Sequence, residues 1–149
     1  MENIAKETEY FALQNKFVDQ VQAASTGYSK TDIHVCATNG FHGGYSKTSF
    51  SNSCVAIARS QAGLERDYDC DALIFNCVLR SPEEIGILAA ERAVSRLEAR
   101  KPKTGVYPVL FDERISSSLL GHLLSATNGA AVARGTSWLL NRRGSIILP

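Results

Sequence analysis

Apolar and polar positions change their period several times along this chain, and each change marks an element. Tyr10, Leu13, Phe17 and Val21 recur every three or four residues, which predicts an amphipathic helix within the first 24 residues. Over 31–38 the pattern becomes an alternation, Thr-Asp-Ile-His-Val-Cys-Ala-Thr, as in a half-buried strand. Asn39-Gly40 is a turn signal, and Gly43-Gly44 loosens the loop that follows. Segments 45–49, 53–59 and 64–69 read as further strands, the last two joined by a turn at Gln61-Ala62-Gly63. Short strands with brief connections predict an antiparallel meander.

The helical period returns at Ser81-Pro82-Glu83-Glu84. Ser81 and Glu84 have the spacing of a capping box, and Pro82 takes the first helical position, where a missing N–H costs little. Ile85, Leu88, Ala89, Ala93 and Leu97 form the apolar stripe, with Arg96, Arg100 and Lys101 placed to complement the helix dipole. Lys101-Pro102-Lys103-Thr104-Gly105 reads as a linker. The run Val106-Tyr107-Pro108-Val109-Leu110-Phe111 predicts a strand, confined by Pro108 to a strand start or an edge. Asp112 then caps a helix carrying Ile115, Leu119, Leu123 and Ala126 on one face. Asn128-Gly129 supplies its stop, and a Gly-Thr-Ser-Trp-Leu turn follows. The fold class expected is α+β: an antiparallel meander packed with amphipathic helices, plus the beginning of a following domain.

Composition narrows the setting. A net charge of +1 with 21% charged residues gives no drive toward nucleic acid or membrane. Uninterrupted apolar runs fall well short of the ~18 residues a membrane span requires. The first residues hold no apolar core of a secretory signal, and the four cysteines include no C-x-x-C pair. A reducing cytoplasm is the compartment expected, with Cys54 read as core packing.

Candidate chemistry is sparse. His122 lies beside the apolar stripe of its helix, with no carboxylate within a turn after it and His34 and His42 far upstream. It reads as a half-buried, hydrogen-bonded core residue. Asp67, Asp69 and Asp71 imitate the opening of a calcium loop, but Ala72 and Val78 stand where that loop needs glycine and glutamate; alternating acids on an exposed strand face are expected instead. Arg92, Arg96 and Arg100 at four-residue spacing read as a solvated helix face. Ser137 lacks a nucleophile elbow, and Gly40-Phe41-His42-Gly43-Gly44 lacks the Lys-Ser or Lys-Thr of a phosphate loop.

Several runs together resemble the PmbA (TldE) branch of the TldD/PmbA family. They are Thr38-Asn39-Gly40-Phe41, Glu65-Arg66-Asp67-Tyr68-Asp69, Pro82-Glu83-Glu84-Ile85-Gly86, Thr104 through Asp112, Leu119-Leu120-Gly121-His122-Leu123-Leu124, and Asn128 through Ser137. The resemblance, which spans about 25–144, implies a middle α+β domain over 1–103 and the start of a C-terminal domain over 104–149, in a fragment of a longer protein whose missing domain would cover the apolar tail Ile146-Ile147-Leu148-Pro149. Members of the TldD branch look like zinc peptidases built on His-Glu-x-x-x-His after a Leu-Leu pair. Setting that pair on Leu119-Leu120 places the motif positions on Gly121, His122 and Ala126. The resemblance therefore implies no catalytic residue, metal or cofactor in this chain, with zinc expected only in a TldD-type partner. It further implies a heteromeric peptidase acting on peptides, in a family with an older label of DNA gyrase modulation. Two alternatives stay open: an active zinc metallopeptidase in its own right, with His122 as one ligand, and a non-enzymatic interaction module or inert remnant.

Overall fold

The computed structural model describes residues 1–142 and 144–146. The chain divides into two compact units, Met1–Lys101 and Pro102–Pro149. The first is built on a three-stranded antiparallel sheet in the order β1 (Val18–Cys36), β2 (His42–Ser60), β3 (Gly63–Leu73). The expected meander is there, with longer strands. Of the alternation over 31–38, residues 31–36 are the end of a strand that begins at Val18, and segments 45–49 and 53–59 merge into one strand of 19 residues. Ser51 and Asn52 interrupt the apolar signal between those segments, but backbone pairing with β1 carries the strand through. Ser60 pairs with Gly63, so Gln61 and Ala62 form the loop, and Gly63 takes φ +143° there. Gly40 takes φ +86° at the other hairpin end, a conformation open to glycine at little cost.

Helices α1 (Glu2–Leu13) and α2 (Pro82–Ser95) pack on one face of the sheet. Alternation along β2 turns Asn52, Cys54, Ala56 and Ala58 toward them, and all four are fully buried. Ala12, Ile85, Ala89, Ala90 and Ala93 complete that core. It is a core of small side chains, so the layers approach closely. A Cβ on Gly86 would lie 2.5 Å from Thr8 O and 3.0 Å from Ala12 N, which shows how tightly α2 crosses α1. Buried Asn52 meets buried Thr8, its Nδ2 donating to Thr8 Oγ1 at 2.9 Å, so both polar groups are satisfied.

Ser81 caps α2 as its spacing predicts, with Glu84 N–H donating to Ser81 Oγ and Ser81 N–H donating to Glu84 Oε2. Three expectations for this unit change. The helical spacing of Tyr10, Leu13, Phe17 and Val21 breaks after Leu13, because Phe17 lies in the connection and Val21 in β1; the buried residues of α1 are Thr8 and Ala12. Helix α2 ends at Ser95, so Arg100 and Lys101 lie beyond its last turn. The third change concerns Asp67, Asp69, Arg92 and Arg96, described with the site.

In the second unit the run 106–111 forms no strand, and Val106 and Leu110 are almost fully exposed. An apolar β-branched run makes a strand only where a neighbouring strand takes its N–H and C=O groups, and none pairs with it here. Helix α3 (Glu113–Thr127) begins at Asp112, whose carboxylate accepts from Arg114 N–H. Asn128 ends it and at once caps α4 (Gly129–Ala133), its side chain accepting from Ala130 and Ala131 N–H. Gly129 thus starts a helix and does not terminate one in the left-handed conformation. Of the apolar tail, Ile147, Leu148 and Pro149 lie outside the described residues.

Candidate functional site

Helix α3 holds the positions that the resemblance sets against a zinc motif. Gly121 offers no donor, and a Cβ built there would meet nothing within 4 Å. Ala126 offers only a methyl group and is the one buried residue of the helix. His122 is exposed, which corrects the expectation of a half-buried, hydrogen-bonded residue. Of the predicted stripe, Ile115 is 49% and Leu119 44% exposed, Leu123 is half-buried and Ala126 alone is buried, so no apolar layer among the described residues of the unit draws the imidazole inward.

The turn after α4 anchors to α3 through a serine. Ser137 Oγ donates to Ala126 O at 2.6 Å and accepts from Leu139 N–H at 3.1 Å. Both lone-pair and proton capacity of this hydroxyl serve the turn, which gives Ser137 a structural task and not that of a nucleophile. Leu139 is buried next to it, while Trp138 is 65% exposed.

A zinc centre needs about three protein ligands and a water. Along α3 the positions in question supply one exposed imidazole, a hydrogen and a methyl group. As the side chains stand, no three His, Cys, Asp or Glu among the described residues are grouped to hold a metal ion. The residues of α3 do not fit a zinc site, and no chemistry is routed through one.

The densest charge cluster of the first unit lies on its helix-covered face. Asp67 and Asp69 sit two apart on β3, opposite Ala56 and Cys54, and are 7% and 2% exposed. Arg96 Nη1 donates to Asp67 Oδ2 at 2.9 Å, and Arg92 donates to Asp69 Oδ1. From the loop before α2, Arg80 Nη1 stands 2.7 Å from Asp69 Oδ2, an ion contact without hydrogen-bond alignment, and Arg80 also reaches Asp71 and Cys70 O. Bonding to Asp69 holds the Arg80 guanidinium above its ordinary value, against a smaller opposing effect of burial. These acids are therefore not an exposed strand face; of the arginines, Arg92 is half-buried, while Arg96 is exposed as expected but turns its guanidinium onto Asp67. Both sets are the two halves of a lock between β3 and α2; Arg100 lies outside it. The signal was in the spacing: two acids at i and i+2 on a strand face match two arginines at i and i+4 on a helix face.

Cys54 is fully buried, and burial pushes its thiol up to about 11, with Glu9 and Asp69 adding to the shift. Cys36, Cys70 and Cys77 are exposed and unbridged. A groove of about 610 Å³ runs beside Gln22, Val55, Arg66, Tyr68 and Arg96. In the second unit a hollow of about 330 Å³ lies among Thr127, Val132, Leu139 and Arg142. Neither gathers a nucleophile with a base. Among the described residues no helix is long and apolar enough to cross a membrane.

Known proteins match this chain over most of its length. Residues 2–97 match the PmbA/TldA metallopeptidase central domain and residues 104–149 the C-terminal domain of the same proteins. A protein named metalloprotease PmbA from Escherichia coli O157:H7 is 37% identical over 112 residues, covering 75% of this chain and 25% of that protein. A homolog from Buchnera aphidicola of Acyrthosiphon pisum is 34% identical over 105 residues, covering 70% of this chain and 24% of its own length. The chain thus spans about a quarter of the length of these relatives. A crystal structure from Bacteroides thetaiotaomicron, of a candidate modulator of DNA gyrase, superimposes with a TM-score of 0.85 at 28% identity, covering 94% of this chain and 32% of that one. A Thermotoga maritima structure of like description, 23% identical, also gives a TM-score of 0.85 and shares the fold, covering 93% of this chain and 32% of that one. On the matched domains, the identity and the shared α+β architecture, this chain belongs to the PmbA/TldD metallopeptidase family.

Proposed function

We propose that this chain serves as a PmbA-type (TldE) subunit that assembles with a metal-bearing, TldD-type partner in the cytoplasm and helps process or degrade peptides, without a catalytic metal of its own. One observation carries the reading: on α3 the motif positions are Gly121, an exposed His122 and Ala126, which together cannot hold a catalytic zinc. A subunit of this kind contributes surface and shape to an assembly, while the zinc-activated water of the partner performs hydrolysis. The exposed apolar residues of α3 and of 106–111 support a role in assembly, since exposed apolar surface of this extent commonly marks an interface.

Co-expression with a TldD-type protein, followed by size-exclusion chromatography and a peptide-cleavage assay, tests the proposal. A stable complex is expected, whose chelator-sensitive cleavage is lost when the partner's motif is altered and retained in His122→Ala of this chain. Chelator-sensitive cleavage by this chain alone, abolished by His122→Ala, would instead establish the second reading, an active zinc peptidase favoured by the metallopeptidase description of its relatives.

A further inference from the structure

The β1–β2 ribbon outruns the third strand. Pairing of β2 with β3 covers Phe50 to Ser60, whereas β1 stays paired with β2 as far as Cys36 opposite His42. From Ser29 onward the ribbon is a two-stranded arm, and its side chains are almost all exposed. A pair of strands alone is marginal in water, and further strands stabilise it. Strand order puts β1 at an edge, so every second residue points its N–H and C=O away from β2, with no strand to meet them among the described residues. The two edges of the sheet differ. Strand β3 carries Glu65, Arg66, Asp67, Asp69 and Asp71, charges of the kind that keep a foreign strand away. Strand β1 has no proline and no charged residue between Asp19 and Lys30.

The charges that β1 does carry on the arm complement a copy of themselves. Lys30 and Asp32 are two apart and share one face of the strand, with Thr31 between them on the other. Within one chain Lys30 Nζ stands 3.8 Å from Asp32 Oδ2, and both side chains are more than half exposed. A second copy, turned about a two-fold axis through the edge at Thr31 and perpendicular to the sheet, runs antiparallel and keeps each face on its own side. Lys30 of either copy then lies opposite Asp32 of the other, Thr31 opposite Thr31 and Tyr28 opposite His34, and the pairing runs from Thr26 to Cys36. Opposite charges and paired threonines are favourable directly across a ladder. Centring the axis on Lys30 or on Asp32 would set that charge against itself, so the register is specified.

We propose that the chain self-associates through this edge, β1 of one copy pairing antiparallel with β1 of a second about Thr31. The two arms become one four-stranded sheet in the order β2–β1–β1–β2, and each gains the neighbouring strands it lacks alone. This surface belongs to the first unit, whereas α3 and 106–111, assigned above to a TldD-type partner, belong to the second, so each proposal can fail without the other.

Sedimentation velocity on the full 149-residue chain alone, over a concentration series, tests the self-association. The expected result is a monomer–dimer equilibrium that weakens as salt rises. Lys30→Asp or Asp32→Lys turns two attractive pairs into two repulsive ones and should raise the dissociation constant roughly tenfold or more. Combining Lys30→Asp with Asp32→Lys should restore it, with circular dichroism unchanged throughout. Register is read by cross-linking in a chain carrying Cys36→Ser, Cys70→Ser and Cys77→Ser. There Thr31→Cys should form an intermolecular disulfide on mild oxidation, because the axis brings its two copies to about 4.5–5.5 Å between Cβ atoms, whereas Ser29→Cys should not. A chain monomeric at every concentration, a dimer indifferent to the charge reversals, or equal cross-linking from both positions overturns the proposal. So does capture by Thr31→Cys of a co-expressed TldD-type protein without any self-dimer, which would give the edge to that partner.

Discussion

Helices α2 and α3 begin alike and end in different environments. Each opens on a polar side chain that caps its first turn, Ser81 or Asp112, and each carries an apolar stripe. Helix α2 buries Ile85, Gly86, Ala89, Ala90 and Ala93, whereas α3 buries Ala126 alone. What differs is the layer opposite. A sheet face of Asn52, Cys54, Ala56 and Ala58 receives α2, and among the described residues of the second unit no comparable layer stands against α3. Periodicity names the face a helix offers; burial depends on what the rest of the fold sets against it. The two regions should therefore answer mutation in opposite ways.

The largest effect is expected at the lock between α2 and β3. Asp69→Asn leaves Arg80 and Arg92 facing a neutral amide in a site where the carboxyl side chain is only 3% exposed. Breaking a buried pair from one side costs about 3–5 kcal/mol, and the partly exposed arginines place this case near about 3. Urea denaturation measures it. A loss below about 1 kcal/mol would mean that solvent screens the lock as it does a surface pair. Next comes Gly86→Ala, which drives a methyl group against Thr8 O and Ala12 N. Overpacking of this kind costs about 1–3 kcal/mol, less up to ~1 kcal/mol returned by helix propensity. A neutral or stabilised variant would show that α1 shifts away without loss.

The pH response of the core gives a further contrast with the exposed thiols. The Cys54 thiol sits near 11 in the folded chain against an ordinary value of 9.0. A group whose value is raised on folding contributes stability that is whole below the unfolded value and is lost as pH climbs through the folded one. Stability should thus fall between about pH 9 and 11, and Cys54→Ala should flatten that part of the profile. Under native conditions a thiol reagent should label Cys36, Cys70 and Cys77 quickly and Cys54 only on unfolding. Rapid labelling of all four would show that the sheet opens locally.

Local signals were legible in the sequence wherever the physics is local. The Ser81–Glu84 box and the Asp112 cap form as their spacing requires, because a side chain and an N–H two or three residues away are all they need. The family resemblance also held, since it rests on several motifs in order. Non-local pairings were not legible. Asp67 and Asp69 looked like solvated acids until α2 brought Arg92 and Arg96 over them, and 106–111 looked like a strand until no neighbour paired with it. His122 was misplaced for the same reason: its helix face predicts burial, and burial needs an opposing layer.

The smallest effects belong to α3, and they sharpen the comparison most. Gly121→Ala meets open space, so it should stabilise the chain by up to ~1 kcal/mol through helix propensity, the reverse of Gly86→Ala on α2. A destabilised Gly121→Ala variant would reveal a close neighbour at that position. His122→Ala removes an exposed side chain with no partner among the described residues, so its melting should stay within about 0.5 kcal/mol of the parent. A larger loss, measured on the same chain under the same urea series, would mean that the imidazole packs against something in solution. Then α3 would resemble α2 after all, with its opposing layer supplied by assembly.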